Sequence, residues 1–568
     1  MHIRSAVYSF LCIFCLLFTL SAQEQNYPKA IIVPHGGVAC SEFNAAQVGA
    51  RILQEGGTAM DAMVATGMAL AVTYPFAGNI GGGGFLLYYH AKTRKVTAFD
   101  FRETAPHAAT VTMYLDSTGQ PIAEKSRLGG QAVGVPGTVK GLAMAHHRFG
   151  RKKWATLLQP AIKLARYGFV VDSAFYRSIQ HYQKALSQFP STRQIFLPNG
   201  QPPQPGTLFI QLQLANTLSQ IARKGPDAFY TGKIARLIAH SVQQHGGILT
   251  VEDLANYRVK ERQPIVFNYR GYTIYAMAPP SSGGLTLLGI LKSLEAIPLA
   301  EQYERNSAPY IALISEIEKY WYARRNQYLG DPDFVAIPFQ QYLSPQWHQK
   351  ALQRAIRLRP YPARKMSAYR AITGQEHPQT THITIVDASG NMAVMTYTLN
   401  GGYGSKLIAE GTGILLNNEM DDFTVKPGSP NMFGLVQGTA NAIQPGKRML
   451  SSMTPTLVLK NGQLIGGLGS PGGATIITTV LQVLLNKLDY GLSLAEAVAA
   501  ARFHHQWLPD SIIIEKGGFS PHTTQQLTRW GFHWITRSSL GDVQAIWKTP
   551  EGWEIVSDPR GSGFPVGF

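Results

Sequence analysis

The sequence predicts a layered α/β sandwich. Strand-forming runs occur in both halves of the chain, and helical patterns flank them. Hydrophobic residues make up 45% of the chain and charged residues only 15%, and 56 glycines supply many tight turns. That profile belongs to a well-buried globular protein and excludes disordered or fibrous classes. At 568 residues the chain exceeds one ordinary core, so it forms several domains or one large layered domain.

The chain opens on "MHIRSAVYSFLCIFCLLFTLSAQEQ". It has a short basic region, an apolar run from Ala6 to Leu20 and small residues at Ser21-Ala22. Residues 1–22 therefore read as a secretory signal peptide cleaved near Ala22-Gln23, with an N-terminal anchor helix as the alternative. Export to the periplasm or the medium is expected. Cys12 and Cys15 leave with the signal, so only Cys40 remains and stability must come from packing.

In "SEFNAAQVGARILQEGGTAMDAMVATGMALAVTYP", Ser41 is the expected N-cap of a first helix and Gly56-Gly57 its break. A buried helix then spans 59–72. Gly81 to Gly84 feed a strand over 85–90, and a second strand ends near Phe101. This glycine run lacks the Gly-Lys-Ser/Thr ending and the following helix of a phosphate loop, so it reads as close backbone packing. The region from about Gly141 to Glu318 is mostly helical. Residues 360–378 lack periodicity and read as an exposed linker. Strands follow at 381–386, 392–398, 413–416, 456–459 and 464–467. Helices come next at about 474–488 and 492–501, with a last strand pair near 545–555.

The formal charge is +17, from 51 Lys and Arg against 34 Asp and Glu. No long basic run or aromatic-interleaved stripe accompanies it. The diffuse charge favours anionic small molecules or an anionic envelope over nucleic acid.

The stretch "HPQTTHITIVDASGNMAVMTYTLN" carries the chemistry. It is a hairpin turning at Ser389-Gly390, and an unbulged register sets Thr380 across from the Thr398–Asn400 segment to within one residue. Threonine is a weak nucleophile unless a base adjoins its hydroxyl. An N-terminal threonine brings its own base in the α-amino group, whose unperturbed pKa is about 7.7–8.0. Cutting Gln379–Thr380 would expose that amine; the alternative is that Thr380 and Thr381 are ordinary strand residues. "GILLNNEMDDF" supplies an acidic, amide-rich loop suited to an ammonium, and "KRMLSSMTPT" places Ser451-Ser452 to hydrogen-bond a carboxylate. Gly472-Gly473 in "GSPGGATI" precede a helix, where backbone N–H groups suit an oxyanion. Arg102 in "DFRET" ends a strand and suits a carboxylate clamp, or is an ordinary surface arginine. His504-His505 in "RFHHQWLPD" read as structural residues on a helix, where adjacent side chains diverge. Asp331 and Asp333 read as members of a Pro-stiffened turn.

These segments, with "FAGNIGGGGF", "GVPGTVKG", "EDLANY" and "PPSSGG", resemble the gamma-glutamyltransferases of the N-terminal-nucleophile hydrolase superfamily over essentially the whole chain after the signal. The resemblance implies an α+β fold, a four-layer αββα sandwich built jointly by two autocleavage products, a large subunit (23–379) and a small catalytic subunit (380–568). It implies that Thr380 is the nucleophile, assisted by Thr398, and that the N–H groups of Gly472 and Gly473 hold the oxyanion. Arg102, Ser451 and Ser452 would grip the donor's α-carboxylate, and Asn400, Glu419 and Asp422 its α-amino group. "KPGSPNMFGL" resembles the family's lid, with Phe433 where many bacterial members carry Tyr; a lid closed by Phe433 lacks a hydroxyl hydrogen bond. The implied substrates are glutathione, related gamma-glutamyl compounds and acceptor amino acids or peptides, with no metal or organic cofactor. The alternatives are an exported acylase acting on beta-lactam side chains or poly-gamma-glutamate, and an unprocessed binding protein of the same fold.

Overall fold

The computed structural model describes residues 29–366 and 380–568. The expected signal segment and Gln379 of the expected scissile bond lie outside the described residues.

Two seven-stranded sheets form the interior. The strands that build them are β1 (Ala30–Val33), β2 (Gly37–Cys40), β3 (Gly83–His90), β4 (Lys95–Phe101), β5 (Lys260–Arg262), β6 (Ile265–Tyr269) and β7 (Tyr272–Ala276). They continue as β8 (Thr381–Val386), β9 (Met392–Thr398), β10 (Thr456–Lys460), β11 (Gln463–Gly469), β12 (Gln544–Thr549), β13 (Gly552–Ser557) and β14 (Val566–Gly567). One sheet runs β14-β2-β8-β9-β3-β4-β5 and the other β1-β13-β12-β11-β10-β7-β6, with neighbours antiparallel. Both sheets mix strands from before and after the Gln379–Thr380 junction, so neither half of the chain completes a sheet by itself.

The four layers follow from period-two alternation. Phe85, Leu87 and Tyr89 of β3 pack with Val394, Leu457, Leu459 and Ile555 between the sheets. Leu86 and Tyr88 point the other way, into a cluster with α1 (Phe43–Gln54) and α2 (Ala59–Thr73). The second sheet turns Ile274, Val458 and Trp547 outward against α3 (Gly283–Leu294), α4 (Ala308–Tyr328) and α5 (Ile476–Leu488). Buried on both faces, the strands read as continuous apolar runs despite being antiparallel. All fifteen residues of α2 are buried, which is why its sequence has no polar face. The expected αββα sandwich is therefore observed.

Two local expectations are corrected. The N-cap of α1 is Glu42, not Ser41: its two carboxylate oxygens accept the N–H groups of Asn44 and Ala45 at 2.9 Å each. A carboxylate gives each of the two first-turn donors its own oxygen. Ser41 instead accepts a hydrogen bond from the Thr381 hydroxyl at 3.2 Å. His504 and His505 are not on a helix. Phe503–His504 is a short strand, His504 bonds Thr478 and Gln506, and His505 faces Asp510 at 3.5 Å.

Candidate active site

The hairpin keeps the expected register. Thr381 lies opposite Tyr397 and Val386 opposite Met392, so one further step sets Thr380 opposite Thr398. The turn is held by Asp387, whose Oδ1 accepts the N–H groups of Ser389 and Asn391, while Gly390 supplies the positive φ of 79°. Asp387 Oδ2 also receives the Ala59 N–H at the start of α2, pinning the hairpin to the helix layer. Thr380 is 6% exposed, and its hydroxyl donates to Thr398 Oγ1 at 3.4 Å. Thr398 Oγ1 in turn accepts the Asn400 N–H at 2.8 Å.

The four-glycine run brings this edge close to its neighbours. A methyl group on Gly82 would lie 2.0 Å from the Thr398 carbonyl oxygen, and one on Gly81 would lie 2.1 Å from that of Leu415. Close backbone packing, as expected, is its role. Asn79 Oδ1 accepts from Gly82 N–H and the Thr138 hydroxyl, joining "FAGNIGGGGF" to "GVPGTVKG".

Thr380 lies at a narrow cleft with free space of about 20 Å³, room for about one water molecule. Asn400, Asp422, Phe433, Ser451, Ser452 and Gly473 line it, as does Arg325. Gly473 begins the short 3-10 turn Gly473–Thr475 that runs into α5, and its N–H belongs to the first turn, where no intrahelical acceptor exists. Gly472 precedes it with φ 144°.

Arg102 is fully buried, which removes the surface alternative. Its guanidinium pairs with Glu419 at 2.5 Å and with Asp422, and Nε donates to the Met449 carbonyl at 3.3 Å. Burial acts to lower its pKa, but Glu419, Asp422 and Glu103 outweigh it and raise it. Burial pushes Asp422 up to about 6 and Glu103 up to about 8, against the pull of Arg102, and pushes Glu419 well above the usual carboxylate range. Arg102 thus pairs with the acidic loop and reaches the serine-bearing segment through the Met449 carbonyl. "EDLANY" supports it: the Tyr257 hydroxyl donates to the Arg102 carbonyl at 2.9 Å.

Ser451 and Ser452 are positioned by "PPSSGG". The N–H and hydroxyl of Ser282 both donate to the Ser451 carbonyl at 2.7 Å, and the Ser281 hydroxyl donates to Met453. The lid segment is tied to the acidic loop. Asn431 donates to Asp422 Oδ1 at 3.2 Å, Met432 N–H donates to Asp421 at 2.8 Å, and Gln506 donates to the Phe433 carbonyl at 3.1 Å.

A family model described as Gamma-glutamyltranspeptidase matches residues 45–568. The chain belongs to that family. It is 47% identical over 542 residues to the glutathione hydrolase proenzyme of Escherichia coli (strain K12), covering 94% of this chain and 92% of that protein. Among solved structures, cephalosporin acylase from Bacillus halodurans matches with a TM-score of 0.82 at 27% identity, over 97% of this chain and 99% of its own. Helicobacter pylori gamma-glutamyltranspeptidase matches at 0.55 and 40% identity, over 57% of this chain and 92% of that one. The sandwich is thus the N-terminal-nucleophile hydrolase fold, and the residues lining the cleft must discriminate between chemistries it supports.

At this cleft, sequence reasoning missed Arg325, Asn431 and Ser282. Arg325 was legible in principle. Ile314, Ile317, Trp321 and Arg325 share one stripe of α4, so the arginine falls on a face that is otherwise apolar. Asn431 carried no such signal, because its partner Asp422 is set by the path of a loop.

Proposed function

We propose that this chain is a gamma-glutamyltransferase and glutathione hydrolase that matures by cutting Gln379–Thr380. One observation carries the reading. The Thr380 and Thr398 hydroxyls meet at a cleft that offers an acidic group, Asp422, and a hydroxyl pair, Ser451 and Ser452, to a single small ligand. A free amino-acid head group has that pattern of charge. The family match, and the word "proenzyme" in the name of the Escherichia coli relative, support it.

In this mechanism the Thr380 hydroxyl attacks the γ-carbonyl of the donor and passes its proton to the Thr380 α-amine freed by cleavage. The tetrahedral oxyanion is met by the N–H groups of Gly472 and Gly473. Collapse of the intermediate breaks the γ-amide bond, and the protonated amine returns its proton to the leaving nitrogen. A gamma-glutamyl ester on Thr380 remains. Water or an acceptor amine then attacks that ester through the same base, restoring the hydroxyl. Thr398 orients the nucleophile through its hydroxyl, and Asn400, Glu419 and Asp422 receive the donor ammonium. Phe433 covers the cleft. The signal-like N-terminus supports an activity exported from the cytoplasm. No helix among the described residues is long and apolar enough to cross a membrane.

The test is direct. Purified protein should run as two fragments, with the smaller one beginning at Thr380 by N-terminal sequencing, and should release aniline from a gamma-glutamyl anilide. An intact chain that still turns over that donor at full rate would defeat the assignment of Thr380.

A further inference from the structure

Much of the positive charge of the chain sits in one helical layer. Residues 151–250 hold 12 Lys and Arg but only two acidic residues, Asp172 and Asp227, a formal excess of 10 out of the 17 of the whole chain. The helices Trp154–Tyr167, Ser173–Leu186, Leu212–Lys224 and Gly232–Gln244 lie here, and their apolar faces join the core that holds α1 and α2. Both acids are already engaged: Asp172 accepts the Phe175 N–H at 2.7 Å as an N-cap, and Asp227 faces Lys140 at 3.7 Å. Eight of the nine Lys and Arg from Lys163 to Arg236 are exposed, and none of the nine pairs with a carboxylate among the described residues.

An apolar ridge crosses this basic layer. Phe169–Val170 and Leu208–Phe209 form a two-stranded ribbon, with Phe169 opposite Phe209 and Val170 opposite Leu208. The two phenylalanines are buried and meet edge to face at 5.8 Å, while Val170 and Leu208 point the other way. The alternation continues, with Gln211 buried between exposed Ile210 and Leu212. With Tyr167 these are five of the fifteen large hydrophobic side chains exposed among the described residues, each 47–68% accessible. They adjoin one another: a methyl group on Gly168 would lie 3.0 Å from Ile210 Cγ1 and 3.4 Å from Leu208 Cβ. Basic groups flank them. Lys163 precedes Tyr167 by one helical turn, and Arg166 reaches across to Asn216 at 3.3 Å. Because the inward side of the ribbon is fully packed, its outward side is a surface the fold presents and not a core left incomplete.

Charge selects what covers this ridge. A second copy of the chain would bring like charge against like charge. A nucleic acid would answer the lysines and arginines, but Val170, Leu208, Ile210 and Leu212 offer it neither a ring to stack on nor a hydrogen bond. An anionic bilayer answers both, with lipid phosphates for the basic residues and the acyl boundary for the aliphatic ones. We propose that the ribbon of residues 167–170 and 208–212 docks the protein on an anionic phospholipid surface, its apolar side chains entering the headgroup boundary while the surrounding basic residues meet the phosphates. Phe433 packs against the core outside the second sheet, so the docked face is not the one that carries the lid.

The test is co-sedimentation of purified protein beginning at Gln23, so that the apolar run at 6–20 cannot carry the binding. Vesicles of phosphatidylcholine alone are compared with vesicles of equal parts phosphatidylcholine and phosphatidylglycerol. Partitioning should be at least about tenfold stronger on the anionic vesicles and should weaken as salt rises from about 0.05 to 0.5 M. Val170→Ser, Leu208→Ser and Ile210→Ser combined should lower the partition coefficient about 30-fold, and Lys163→Gln alone about fivefold. Both variants should keep wild-type circular dichroism and wild-type release of aniline from the gamma-glutamyl anilide. If the triple variant does not accumulate, Tyr167→Ser carries the same contrast. Equal partitioning on the two vesicle types, or none on either, would overturn the proposal. So would a triple variant that sediments like wild type, because charge alone would then account for the binding. A wild-type dimer that the same three substitutions break, without vesicle binding, would assign the ridge to self-association instead.

Discussion

At one end of the cleft Thr380 meets Thr398 across a single hairpin, 18 residues apart in sequence. At the other end Arg102 meets Asp422 across 320 residues, and Arg325 meets Ser452 across 127. The reacting end is fixed by strand register and one turn. The recognising end is assembled from a strand end, a long helix, an acidic loop and a serine loop, and each contact depends on the whole sandwich being closed. Local geometry should therefore fail cleanly when altered, and assembled geometry should fail together with the fold.

The largest expected effect breaks the reacting end alone. Thr380→Ala should leave one unprocessed chain on a denaturing gel and reduce turnover of the gamma-glutamyl anilide by at least about 10³-fold. Its thermal unfolding should stay near that of wild type, because among the described residues the side chain's hydrogen bonding is the 3.4 Å contact to Thr398. A variant that matured normally would remove the nucleophile from the hairpin.

Next comes the recognising end. Arg102→Ala leaves Glu419 and Asp422 buried beside each other with no cation, a loss of about 3–5 kcal/mol for a broken buried pair. The expected outcome is a fall in unfolding free energy in urea together with poor maturation, not weakened donor binding alone. Asp422→Asn is milder, since Arg102 keeps Glu419. It should mature and raise the donor KM roughly 10–100-fold, as for one charged contact. If Arg102→Ala instead folded, matured and lost only donor affinity, Arg102 would act on the donor directly, as a carboxylate clamp.

The same contrast explains what was legible beforehand. The hairpin, its register and the strands over 381–386 and 392–398 follow from period-two alternation and a Ser-Gly turn, and the structure reproduces those bounds. The buried helix near 59–72 follows from its uniformly apolar composition. Arg102, Glu419 and Asp422 were each identifiable as polar residues near strand ends, but their mutual pairing was not, because no local pattern encodes a partner 320 residues away. The N-cap at Glu42 was missed for a smaller reason: capping preference ranks serine highly, and here a carboxylate with two acceptors outcompetes it.

Protonation offers a third way to sharpen the comparison. Burial raises the folded pKa of Asp422 to about 6, so it is charged above that pH and neutral below it. As pH falls through about 6, the donor ammonium loses its counter-charge and KM for the gamma-glutamyl anilide should rise, approaching tenfold per pH unit for one proton. Glutaryl anilide, which lacks the α-amine, should show no such rise in KM, and Asp422→Asn should flatten it. A rise shared by both donors would instead place the titrating group at the reacting end.

The smallest effect concerns the lid, which touches both ends. Phe433 lines the cleft, and its backbone is already fastened: its N–H donates to Asn431 Oδ1 at 3.0 Å, and its carbonyl accepts from Gln506. Asn431 also holds Asp422, so lid and ammonium site share one side chain. The phenyl ring contributes apolar cover but no hydrogen bond. Phe433→Tyr adds one hydroxyl, and a net hydrogen bond contributes about 0.5–1.5 kcal/mol. The variant should lower donor KM by about two- to tenfold in steady-state anilide release, with the acylation rate nearly unchanged. An unchanged KM would mean that Asn431 and Gln506 alone set lid closure. The aromatic position would then act as a cover, and control of the lid would rest with the residue it shares with the ammonium site.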